Sequence, residues 1–155
     1  DEWSFHKILI NNIQAVDSTI LKHNDKFWMF TNVKENEFVS ANEDLYLFYS
    51  NSLNDKWIAH PQNPIISDIR FSRPAGKIFK EKGKIYRPSQ NGSNIYGYGI
   101  QINEIIVLNE LEYREVNVES INPLWSNNLI GTHTINHDKN LTVIDANFKI
   151  NKFFN

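Results

Sequence analysis

The apolar residues of this chain fall into short runs, each bounded by a polar, turn-forming cluster, and nowhere keep up the spacing of an amphipathic helix. Trp3 to Ile10 reads as a strand with partial alternation, stopped by Asn11-Asn12. Ser18 to Lys22 and Lys26 to Thr31 flank the turn His23-Asn24-Asp25 and predict a hairpin. A polar loop over 32–44 leads to a third strand, Leu45 to Ser50, and a short fourth, Trp57 to His60. Pro61 and Pro64 then close the unit, because proline cannot donate to a paired ladder.

The same order recurs. Ala75 to Lys80, the turn Glu81-Lys82-Gly83, and Lys84 to Pro88 predict a second hairpin, followed by strands over Tyr96 to Leu108 and Tyr113 to Val118. A third pass has strands Thr132 to Asn136 and Leu141 to Asp145 around the turn 137–140, with Phe148 to Phe154 as its third strand. Ile20 to Phe27 superposes on Ile78 to Ile85 at a shift of 58, and Thr134 to Leu141 superposes on the latter at a shift of 56. A period of about 57 residues with four short strands is the signature of a β-propeller. The fold class expected is all-β: a partial β-propeller of about two and a half four-stranded blades. Residues 3–10 would be the last strand of a preceding blade, 17–64 and 72–123 two whole blades, and 131–155 part of another. A β-sandwich with similar hairpins is the alternative. Propellers close with four to eight blades. The remaining blades are therefore expected from a longer chain or by association, with exposed apolar sheet faces at both ends.

Composition supports strands: aromatic residues make up 13% of the chain. A net charge of −2 argues against a nucleic-acid binder. No apolar run is long enough to span a membrane, and no signal peptide is visible. The chain starts without Met and reads as a processed product or an excised piece. Cysteine is absent, which rules out disulfides and thiolate metal sites and leans towards a cytoplasmic setting. No motif for a metal, nucleotide or other cofactor is present. Frequent Asn (22) and Ile (20) reflect a base-composition bias of the genome rather than function.

Candidate chemistry follows from the repeat. In a propeller the innermost strands line the axis, so residues at their starts converge. Asp17, Arg73 and His133 hold those places. Asp17 is the candidate catalytic carboxylate and also suits a turn cap. Arg73 can clamp an anion bidentately or pair with a carboxylate of the neighbouring blade. His133 can bind an anion, shuttle a proton or hydrogen-bond backbone. Arg87 and Gln90, in Arg-Pro-Ser-Gln just past a strand, are candidate ligand contacts pre-organised by Pro88. Tyr96, with Tyr98 and Trp125, offers a ring to stack on a sugar. Glu115 falls on an outermost strand and is expected to pair locally. Phe27 to Phe30 and Leu45 to Tyr49 are expected in the core.

Particular residues carry a resemblance. Trp57 to Pro64 resembles the W-x-x-H-P-x-N-P element of five-bladed furanosidase-like propellers. It is followed by Arg73-Pro74-Ala75-Gly76, Tyr86-Arg87-Pro88-Ser89-Gln90, Tyr96-Gly97 and Tyr113-Arg114-Glu115. That ordered set resembles the propeller domain N-terminal to the transferase domain in the glucosamine inositolphosphorylceramide transferase family, and related domains of bacterial proteins linked to surface-glycan synthesis. More distantly it is similar to glycoside hydrolase families 43 and 32. The resemblance implies a five-bladed ring, a sugar, sugar phosphate or glycolipid head group as ligand, and a transferase domain as partner. A furanosidase-like hydrolase and a non-catalytic interaction module are the alternative functions.

Overall fold

The computed structural model describes residues 2–34, 40 and 42–150. Among them there is no helix, and no sheet closes on itself. The first sheet is an antiparallel meander of β1 (Ala15–His23), β2 (Lys26–Val33), β3 (Asp44–Ser50) and β4 (Ile58–Ala59), with β5 (Ile66–Ser67) against the start of β3. The second repeats the order with β6 (Phe79–Glu81), β7 (Lys84–Asn91), β8 (Gly99–Leu108) and β9 (Tyr113–Ile121). Two small ribbons follow: β10 (Leu129–Gly131) with β13 (Asn147–Phe148), and β11 (Ile135–Asp138) with β12 (Leu141–Ile144).

The three hairpins share their turn chemistry. Asn24 and Asp25, Lys82 and Gly83, and Lys139 all carry positive φ between the paired residues His23 and Lys26, Glu81 and Lys84, and Asp138 and Leu141. Two-residue turns with left-handed residues match the twist of the flanking strands. The last two turns are related by 57 residues, one more than the expected shift.

The core lies where the two sheets meet. Alternation on β2 and β3 sends Trp28, Phe30, Leu45 and Leu47 to the face that meets Ile85, Ile105 and Tyr113 of the second sheet. The opposite face carries Met29, Val33 and Phe48, with Trp57. The second sheet's other face presents Ile100 and Ile102 to Ala75 and Ile135, which joins the third unit to it.

Several local expectations need correction. Residues 3–10 form no strand: no neighbouring strand pairs with them, and Trp3 and Phe5 stay exposed, while Leu9 and Ile10 pack on the outer face of the first sheet. The strand expected over Ala75 to Lys80 forms only from Phe79. Before it, the chain makes irregular bonds to β7, from the Ala75 N–H to the Pro88 carbonyl and from the Gln90 N–H to the Arg73 carbonyl. That irregular edge also explains why β7 runs through Pro88 to Asn91. Proline's missing N–H falls on the side where no regular ladder exists. Arg87 and Gln90 are therefore inside a strand rather than past one. In the third unit β13 pairs with β10, not with β12; part of the expected Phe148 to Phe154 strand, residues 151–155, lies outside the described residues.

Trp57 to Pro64 acts as a clasp between the sheets. The Asn63 amide bonds both backbone groups of Leu47, at 2.8 Å each. The Gln62 carbonyl oxygen Oε1 accepts the Tyr113 N–H at 2.7 Å. His60 is buried; its Nδ1 accepts the Gln62 N–H, so the ring proton sits on Nε2 and is donated to the Asn109 carbonyl at 3.0 Å. Burial holds the His60 pKa below its ordinary value against the opposing bond to Asn109.

Arg87 is fully buried and makes a two-point ion pair with Glu115, Nε to Oε2 at 2.8 Å and Nη2 to Oε1 at 2.6 Å. Nη2 also reaches the Phe71 carbonyl at 2.7 Å, and the Tyr113 hydroxyl donates to Glu115. Burial opposes the charge on Arg87, yet the Glu115 carboxylate and Tyr113 outweigh it and the guanidinium holds its proton more tightly than usual. Burial, then the adjacent carboxylate, pushes the Tyr113 hydroxyl well above its ordinary value. Removing one partner strands a buried charge. Glu115→Ala is expected to destabilise the chain by about 3–5 kcal/mol. The double variant Arg87→Met/Glu115→Leu should lose much less. Denaturant unfolding of the three proteins checks this.

Gly76 fixes how closely the third unit docks. Its φ is +140°, and a Cβ there would lie 2.0 Å from the Ile135 carbonyl oxygen, beside the 2.8 Å bond from the Ile135 N–H to the Ala75 carbonyl. Gly76→Ala is expected to cost more than about 1 kcal/mol. Amide exchange should rise first in the β11–β12 hairpin; unchanged protection there would count against this docking.

Candidate functional site

Residues in or just before the first strands of the three hairpins border one cleft of about 400 Å³. Thr19, Lys77 and Thr134 stand at the same distance from the turn in their hairpins and all line it, with Asp17, Pro74, Gln90, Tyr96 and His133. A second depression of about 290 Å³ shares Gln90 and Tyr96 with it and adds Asn42, Ile69 and Arg73.

Each side chain is aimed by a local device. The register of β1 breaks between Val16 and Thr19, and Asp17 sits in that bulge with φ of 51°. Its carboxylate thereby meets Arg73, whose Nε donates to Oδ2 at 2.6 Å. Arg73 Nη1 donates to the Asn42 side-chain carbonyl. The guanidinium lies 5.1 Å from the Tyr96 ring centroid, a cation–π contact. Tyr96 meets the His133 ring edge-on at 5.8 Å. Gly97, with φ of 70°, lets the Tyr96 loop approach His133, since a Cβ would stand 3.1 Å from the His133 Cβ.

The β11–β12 register sets Asp145 opposite Thr134. Asp145 Oδ1 accepts the His133 and Thr134 N–H groups at 2.9 and 2.7 Å, and Oδ2 accepts from His133 Nδ1. With Nδ1 committed, Nε2 is the nitrogen left for a ligand, and it has no partner among the described residues. Burial raises the Asp145 pKa, but the two N–H bonds and the imidazole outweigh it and hold the carboxyl below its ordinary range.

Gln90 is buried, with its side-chain Nε2 donating to the Pro74 carbonyl at 3.0 Å. Its Oε1 is buried without a hydrogen-bond partner among the described residues.

The structure thus places Asp17, Arg73, Gln90, Tyr96 and His133 around two adjoining depressions. Arg87 is elsewhere, committed to Glu115. The pairing of Arg73 with Asp17 is the structural ion pair weighed for it from the sequence, formed across two units. Sequence reasoning missed Asn42, which sits in an unpatterned polar loop. Asp145 was visible only as the end of a hairpin, though counting back from the turn at Lys139 would have set it opposite Thr134. Among the described residues no group of three or more His, Asp or Glu side chains converges as a metal site. No helix among them is long and apolar enough to cross a membrane.

Antiparallel four-stranded meanders with a cleft at the start of their first strands define an all-β domain of repeated units. Residues 1–142 match the profile of the family described as glucosamine inositolphosphorylceramide transferase 1, N-terminal. The chain is 33% identical over 119 residues to glucosamine inositolphosphorylceramide transferase 1 of Oryza sativa subsp. japonica, covering 76% of this chain and 16% of that protein. It is 33% identical over 118 residues to the protein of the same name from Arabidopsis thaliana, 75% and 15% respectively. The chain belongs to this N-terminal domain family and spans about a sixth of the relatives' length. The relatives bear out the resemblance to this transferase family, and they are plant proteins, not bacterial ones. No solved structure matches.

The Asp145 cap carries a pH dependence. Its pKa is lowered on folding, so its stabilisation is complete above the unfolded carboxyl value of about 4 and is lost as pH falls from there through the lower folded value. Asp145→Asn should flatten the loss of β11–β12 protection between about pH 5 and pH 3. Amide exchange over 133–144 reads it, and an identical profile in the variant would remove Asp145 as the cause.

Proposed function

We propose that this chain is a carbohydrate-associated β-propeller domain, two and a half blades of a five-bladed ring, that binds a sugar or sugar phosphate in a protein of glycolipid or surface-glycan assembly. It positions that ligand for a transferase domain. The observation that carries the reading is the cleft where three repeated units meet. It combines an aromatic ring, a carboxylate-oriented imidazole and a buried amide oxygen without a partner, which are the kinds of group that orient a polyol. Family membership supports the setting, since the relatives are named glucosamine inositolphosphorylceramide transferase 1. The two four-stranded meanders, equivalent turns and a third unit made only of two-stranded ribbons among the described residues support the propeller and the need for further blades.

A hydrolase built on Asp17 has less behind it. Glycoside hydrolysis needs one carboxyl that stays protonated. Asp145, the second carboxylate near this cleft, is held the other way, and Asp17 is engaged by Arg73.

A binding screen against monosaccharides, sugar phosphates and glycolipid head groups tests the reading. Tyr96→Ala and His133→Ala should each weaken the ligand found by about tenfold or more, while Glu119→Ala, on the exposed outer strand, leaves it unchanged. Equal binding by all four proteins would leave an interaction module as the better account.

A further inference from the structure

We infer that the cleft selects an uncharged, hydroxyl-rich sugar or cyclitol ring, and not the phosphate of a sugar phosphate. This rests on the reading of the cleft as a carbohydrate site. The unspent groups decide the point. The Pro74 carbonyl can only accept, so the Gln90 atom facing it is the amide nitrogen, and the buried atom without a partner is the oxygen. A buried acceptor left open costs free energy until a donor meets it. A hydroxyl supplies that donor; a phosphate dianion has none.

The charges point the same way. Arg73, the cation expected to clamp an anion, is committed to Asp17 and Asn42 and covered on one side by Tyr96. Asp17 lines the cleft and offsets the charge of Arg73, and the Asp145 carboxylate stands directly behind His133, so neither pair offers net positive charge to a dianion. Among the described residues Lys77 is the one lysine lining the cleft, and it is exposed at the rim, where a lone contact is weak and screened by salt. Tyr96, a residue 60% exposed, offers an apolar surface for the ring of a saccharide.

Saturation-transfer NMR and calorimetry on this chain provide the test. The probes are myo-inositol and the methyl glycosides of glucose, mannose and N-acetylglucosamine, each set against the corresponding monophosphate. At least one neutral probe should bind, more tightly than its phosphate, with affinity unchanged between low and physiological salt. Gln90→Met, which keeps the side-chain length and removes the acceptor, should weaken it about tenfold, and Lys77→Ala, at the rim, should weaken it far less. Thermal melts establish that Gln90→Met folds. If it does not, Tyr96→Ala with Lys77→Ala carries the same comparison on exposed positions. A phosphate that binds more tightly than its neutral parent, loses affinity with salt and depends on Lys77 would overturn this inference while the carbohydrate reading stands. Binding of neither set would overturn both.

Discussion

The buried pairing of Arg87 with Glu115 is the constraint around which the two large sheets are assembled. A guanidinium with no exposed surface is tolerable only where its charge is matched; here Nε and Nη2 are directed at partners, while Nη1 is buried without one among the described residues. Here β7 supplies the cation, the edge strand β9 supplies the anion, and the segment leading out of the first sheet supplies the Phe71 carbonyl. The pair therefore ties three separate stretches of chain at one point, beside the apolar seam formed by Phe30, Leu47 and Tyr113. An apolar cluster would permit sliding between the sheets. The bond from Arg87 Nη2 to the Phe71 carbonyl resists it, because displacement of the sheets leaves that buried donor without its acceptor, and the ion pair to Glu115 holds the guanidinium in place for it.

That fixed relation places the cleft. Arg73, Pro74 and Gly76 follow Phe71 closely in the chain, and Gln90 follows Arg87 along β7, so holding those two residues sets the register of the cleft's middle wall. The outer walls are added by Asp17 in its bulge and by the His133–Asp145 pair on the third hairpin. The Arg-Pro and Tyr-Gly elements of the sequence thus divide their labour. Some members make the seam, some the close backbone approaches, and a few remain for a ligand.

Much of this was legible before any coordinates. The hairpin turns, the core stripe on β2 and β3, and the grouping of Asp17, Arg73 and His133 follow from turn chemistry, alternation and the internal repeat. Two kinds of feature were hidden. One is the difference between a strand pattern and a paired strand: Trp3 to Ile10 has the pattern, but pairing depends on a neighbour that no local signal specifies. The other is the fate of a polar residue. Arg87 and Arg73 have almost the same local context, each followed by proline. Only the cross-strand position of Glu115 buries the first, and only a bulge in a distant strand turns Asp17 towards the second. The clasp of Trp57 to Pro64 teaches the same lesson, since a motif noticed as a family mark spends its polar groups on backbone.

The β11–β12 ribbon bears on how this chain behaves in solution. Its second strand carries Leu141, Val143 and Ile144 with substantial exposure, and among the described residues no strand lies along its outer edge. An uncovered edge with apolar side chains on both faces is a template for any extended segment it meets. Concentration thus becomes a structural variable for this chain, and crowded samples favour edge-to-edge stacking. A lysine placed inward along β12 would be the economical way to keep the chain dispersed.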